Sequence, residues 1–189
     1  MISNGKFYES QFEEATIELL REAHWQYAFG DDIHRKYTDP LIEEDLRNFL
    51  TVQYKDKNLT TSEMDSIVAN LRNTGGQNDY YALRNAFLLY RDGYDFAYSD
   101  GRDNPFRLEY IDFEHPDHNI FRCVNQFVME QGRENRRPDI LLFINGIPVC
   151  IIELKNPTKQ NATIHDAHTQ ICTRYMRDIP ALLKYCALA

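Results

Sequence analysis

The chain has 189 residues, 43% apolar, 13% aromatic and 26% charged, with a formal net charge of −8. That suffices for one globular domain with a sizeable core and excludes a disordered chain. The longest apolar stretches, 140–144 and 147–152, fall short of the ~20 residues of a membrane span, and no basic-then-apolar leader opens the chain. Neither a membrane nor a secreted protein is expected, and the cytoplasm is the default address.

Residues 7–23 place Phe12, Ala15, Ile17, Leu19, Leu20 and Ala23 among acids, an amphipathic helix whose acidic first half suits the helix dipole. Residues 25–29 alternate and stop at Gly30, which predicts a short strand. From 38 to 91 the pattern is helical in three pieces. The first opens at Asp39-Pro40, the second at Thr61-Ser62-Glu63, and the third is capped by Asn78 or Asp79 and ends before Gly93. Beyond Gly93 the period changes to two, with strands over 94–98, 106–113, 120–129, 139–144 and 147–153. A helix follows over 163–175, and Ile179-Pro180 starts a shorter one. With no repeat or linker, residues 1–189 read as one mixed α/β domain carrying a helical insertion at 38–91. The last residues run off without a stop signal, so the chain is expected to be cut inside a domain.

Cys123, Cys150, Cys172 and Cys186 form no C-x-x-C pair and are expected as buried, reduced thiols. The histidines show no ligand spacing, and His165 and His168 lack partnering cysteines. No structural metal is expected.

The strongest chemical signal lies in 137–155. Two apolar strands meet at Asn145-Gly146, Asp139 stands at the start of the first, and Glu153 and Lys155 end the second on one face. A regular two-residue turn would oppose Asp139 to Ile152 and put the two acids on opposite faces. Only a three-residue loop or a bulge brings them together. Two hard oxygen ligands suit Mg²⁺ or Mn²⁺, and the neighbouring lysine suits placement of an attacking water, the requirements of phosphodiester hydrolysis. The alternative is a hairpin ending in a surface ion pair. An acidic chain is not held to nucleic acid by net charge. The segment 131–160 is nevertheless net positive, and its Arg136, Arg137 and Lys159 are candidate phosphate contacts.

Asp139 and Glu153-Leu154-Lys155, with the hairpin between, resemble the PD-(D/E)xK nuclease signature. The longer run Asn125-Gln126-Phe127, Arg137-Pro138-Asp139, Asn145-Gly146-Ile147-Pro148 and Ile152-Glu153-Leu154-Lys155-Asn156-Pro157 resembles the N-terminal nuclease domain of the R subunit of type I restriction enzymes. The resemblance implies a restriction-endonuclease-like core, a mixed sheet flanked by helices, and a magnesium-dependent DNA endonuclease. It casts Asp139 and Glu153 as metal ligands, with Lys155 catalytic. Tyr8-Glu9-Ser10-Gln11-Phe12-Glu13 resembles the family's opening helix, which supplies a further acid: Glu9, or Glu13 one turn later. The family's Gln-x-x-x-Tyr motif is matched by Gln170 and Tyr175 with one extra residue between them, which requires a helix irregularity or a replacement. Double-stranded DNA and the methyltransferase and specificity subunits are the implied partners. ATP would be used only by motor domains outside this chain, which has no Gly-x-x-x-x-Gly-Lys-Ser/Thr loop. A docking module without catalysis and a stand-alone repair or recombination nuclease are the competing readings.

Overall fold

The computed structural model describes residues 9–155 and 163–189, Glu9 through its backbone alone. Helix α1 (Glu9–Glu22) leads into strand β1 (Gln26–Phe29), and the helical region folds as α2 (Glu43–Gln53), α3 (Thr61–Asn73) and α4 (Asp79–Asp92). A capping box between Thr60 and Glu63 starts α3, and the Asn78 side chain caps α4. Helix α2 begins later than Asp39-Pro40 suggests. The Leu41 amide donates to Asp39 Oδ1 at 3.1 Å and the Ile42 amide to the Gly146 carbonyl at 2.9 Å, so these amides are committed outside a helix.

The strands are β2 (Tyr94–Phe96), β3 (Phe106–Leu108), β4 (Phe121–Asn125), β5 (Met129–Gln131), β6 (Glu134–Arg136), β7 (Ile140–Ile144) and β8 (Ile147–Ile152). Of the strand expected over 106–113 only β3 forms, because the chain turns around the Asp112 carboxylate, which accepts the Glu114 and His115 amides. The strand expected over 120–129 is broken at Gln126, which adopts a left-handed backbone with φ 55°. Residues 134–136 pair with β5 as a hairpin strand that the alternation did not reveal.

The main sheet has the order β1-β4-β7-β8, with β1 parallel to β4 and the other pairs antiparallel. After it come α5 (Ile164–Thr169), a π-helical turn (Gln170–Tyr175), α6 (Met176–Asp178) and α7 (Pro180–Leu183). Both faces of the β7–β8 hairpin are covered. Ile144, Ile147 and Val149 pack with the α2–α4 cluster, while Leu141, Phe143 and Ile151 pack with Ile171, Tyr175, Ile179 and Leu182. Two-sided burial explains why these strands read as continuous apolar runs. All four cysteines are free. Cys123 and Cys186 are buried, but Cys172 is exposed, on the outer side of the π turn whose Ile171 and Tyr175 point inward. Among the described residues no helix is long and apolar enough to cross a membrane.

Candidate active site

The hairpin resolves the choice between turn geometries. Asn145 (φ 50°) and Gly146 (φ 75°) make a two-residue turn pairing Ile144 with Ile147. The register then shifts: Phe143 faces Pro148 but Leu142 faces Cys150, leaving Val149 as a bulge beside a proline that has no N–H to give the ladder. From there Ile140 pairs with Ile152, so the same register one step further sets Asp139 opposite Glu153, on one face. The turn itself is anchored. Asn145 is fully buried and its side chain bonds to the Ile120 amide, the Tyr110 carbonyl and Asn119 Oδ1.

Glu153 has a side chain only 3% exposed, and among the described residues its side chain is held by Lys155, Gln170 and Tyr175, all candidate site residues. Lys155 Nζ reaches its Oε1 at 2.6 Å, and the Tyr175 hydroxyl donates to its Oε2 at 3.0 Å. Gln170 Nε2 donates to Glu153 Oε1 and, at 2.7 Å, to the Tyr175 oxygen. The extra residue between Gln170 and Tyr175 is absorbed by the π turn. Residues five apart share a face there, whereas an α-helix would rotate them apart. Burial, followed by the nearby Glu153 charge, pushes the Tyr175 phenol well above its usual range, so it remains a proton donor.

Asp139 accepts the Leu154 amide at 2.7 Å through Oδ2. Burial is the main cause that pushes its carboxyl up to about 6, with the Glu153 and Glu13 charges adding and the Leu154 bond and Lys155 opposing. Glu13, on α1, receives Asn125 Nδ2 at 2.8 Å and Gln126 Nε2 at 3.1 Å. Gln126 in turn donates its backbone amide to the Asp139 carbonyl at 3.1 Å. Its left-handed conformation thus joins Glu13 to the start of β7. Gln126 lies in the Asn125-Gln126-Phe127 motif, but residue pattern alone does not give it this connecting role. The Glu9 side chain and Lys159 lie outside the described residues.

Asp139 and Glu153 thus stand as cross-strand carboxylates with Lys155 Nζ on Glu153 Oε1, and burial, with the Glu153 and Glu13 charges adding, makes the Asp139 carboxylate costly to ionise. A divalent cation offsets that cost, so these hard oxygen donors fit magnesium or manganese.

The candidate phosphate contacts separate. Arg136 is held by Asp178 at 2.6 Å and Glu134 at 2.8 Å, whereas Arg137 is exposed. Together with Arg174 and Arg177 they line a cleft that has Gln170 and Tyr175 in its wall. Arg174 and Arg177 went unnoticed in the sequence because they approach this cleft only through the folding of the last helices beside β6.

The family model for type I restriction enzyme R protein N terminus matches residues 6–189. The chain is 28% identical over 187 residues, 94% of its length, to the type I restriction enzyme HindI endonuclease subunit of Haemophilus influenzae. It is 31% identical over 181 residues, 92% of its length, to a protein of Methanocaldococcus jannaschii provisionally named type I restriction enzyme MjaIXP endonuclease subunit. It spans 17% of the length of either relative.

Proposed function

Because the chain belongs to the family of type I restriction enzyme R protein N-terminal domains, we propose that it is the DNA-cleaving module of such an enzyme, a magnesium-dependent endonuclease. The observation that carries this reading is the Val149 bulge, which turns an otherwise divergent pair, Asp139 and Glu153, into cross-strand neighbours. Asp139 and Glu153 would hold the cation, with Glu13 or Glu9 completing the acids. When bound, Mg²⁺ supplies charge stabilisation for the phosphate and an activated water.

The chain's own residues do the rest. Lys155, drawn to Glu153, holds a positive charge beside the acids, where it orients the attacking water and offsets charge developing on the phosphate. Gln170 and Tyr175 hold the Glu153 carboxylate in one orientation, the service that outer partners give metal ligands. The arginine cleft accepts the DNA backbone next to the acids. Hydrolysis is direct, water entering in line and the 3′ oxygen leaving. Duplex DNA is the substrate. ATP-driven motor domains and the methyltransferase and specificity subunits are partners in the cytoplasm.

The test is Mn²⁺ calorimetry on the chain and on Asp139→Ala/Glu153→Ala, paired with plasmid cleavage by the assembled enzyme carrying the same changes. Binding and cleavage lost together in a folded variant support the reading. Cleavage that survives in the variant overturns it. A wild type that binds no metal, with an assembled enzyme that still translocates DNA, points to a docking module.

A further inference from the structure

The loop between β3 and β4 carries a second cluster, built from different chemistry. Asp112, His115 and His118 are spaced three apart, and one ligand atom from each lies within 4.8 Å of the other two. Asp112 Oδ2 stands 3.1 Å from His118 Nδ1 and 3.6 Å from His115 Nδ1. Both imidazoles thus turn the same nitrogen to the same oxygen. The rings lie nearly parallel, 17° between planes with centroids 5.0 Å apart. Ligands about 2.0–2.1 Å from a tetrahedral zinc ion are separated by roughly 3.3 Å, a value that the two Oδ2–Nδ1 separations of 3.1 and 3.6 Å bracket.

The carboxylate is prepared for such a role. Asp112 is buried, its Oδ1 receives the Glu114 and His115 amides, and its Oδ2 receives Gln53 Nε2 at 3.0 Å from the end of α2. Both imidazoles are more than half exposed, which leaves an entry path and room for water at the fourth position. Two imidazoles and one carboxylate select a borderline transition cation over magnesium.

We propose that Asp112, His115 and His118 form a binding site for a transition-metal dication of the zinc class. The site is separate from the acids at the other end of the hairpin and does not depend on the nuclease reading. Asn119 connects it to the turn: its Oδ1 accepts the Asp112 amide at 2.9 Å and Asn145 Nδ2 at 2.7 Å. A cation here fixes the loop against the buried turn that sets the hairpin register.

The experiment is Zn²⁺ calorimetry on the chain carrying Asp139→Asn and Glu153→Gln, so that the acids at the hairpin ends contribute little. One zinc per chain is expected, with proton release and with no competition from millimolar Mg²⁺. Adding His115→Ala and His118→Ala should abolish the heat while circular dichroism stays unchanged, since both side chains project from the surface. Gln53→Leu should weaken zinc about tenfold, as loss of an outer partner does. No zinc heat, heat that survives without the two histidines, or heat removed by Mg²⁺ each overturns the proposal.

Discussion

Gln170 donates from Nε2 to the Tyr175 hydroxyl at 2.7 Å across a single π turn, and both side chains end on the Glu153 carboxylate. Tyr175→Phe keeps the ring in its core position and removes only the hydroxyl. Cleavage by the assembled enzyme should fall about tenfold, the lower end of what outer partners of metal ligands contribute, while the melting temperature changes little. Single-turnover cleavage alongside a thermal melt separates the two effects.

The Asp139 carboxyl gives the metal-free chain a distinctive pH response. Its folded value, about 6, lies above the ordinary 3.8. Between those values the folded chain binds more protons than the unfolded one, so this group's contribution to stability falls as pH rises through the window. Asp139→Asn lacks the penalty and still accepts the Leu154 amide. Thermal melts should show the variant more stable than wild type above pH 6, with the difference closing towards pH 4. Mn²⁺ should raise the wild-type Tm and leave the variant unmoved.

Deleting Val149 tests the register directly. With the bulge in the wild type, the deletion leaves a regular two-residue hairpin that still opposes Asp139 to Glu153. Mn²⁺ heats should therefore match in the two proteins, with a stability loss of roughly 1–2 kcal/mol from the missing valine packing. A deletion variant that gained binding absent from wild type would mean that the native hairpin has no bulge.

Asn145→Ala removes three side-chain hydrogen bonds from a fully buried position with positive φ. A cost of roughly 3 kcal/mol, or a Tm lower by roughly 6–12 °C, is expected from the stranded Ile120 amide and Tyr110 carbonyl. Differential scanning calorimetry reads it.

The arginines should divide by their partners. Arg174→Ala should lower the salt slope of DNA binding by about 1 with the melt unchanged. Arg136→Ala should also destabilise the fold, because it takes one of the two arginines, Arg136 and Arg177, from the buried Asp178. Fluorescence anisotropy at several salt concentrations distinguishes them.

Much of this arrangement was legible in residue patterns. Periodicity found α1 from its apolar spacing, and α3, α4 and the β7–β8 hairpin from an apolar pattern bounded by a clear cap or turn. The hairpin also showed that only a special turn or bulge could unite Asp139 with Glu153. Which of the two occurs depended on Val149 packing with Ile144 and Ile147 towards α2–α4, contacts that alternation does not encode. The same limit hid the Glu13–Gln126–Asp139 connection, which needs a left-handed backbone at a glutamine. It also hid the Asp112, His115 and His118 cluster, whose members meet only after the chain abandons strand geometry at residue 109.

The bond between Glu13 and Asn125 spans 112 residues of chain. As the polypeptide leaves the ribosome, α1 and all of α2–α4 are made before that partner exists, and Glu153, Gln170 and Tyr175 emerge later still. Loop closure over such a distance cannot be rewarded until the hairpin is in place. Translation products that stop before residue 139 therefore carry Glu13 without Asp139, Glu153, Gln170 or Tyr175, so the candidate site assembles only after nearly the whole chain has been made.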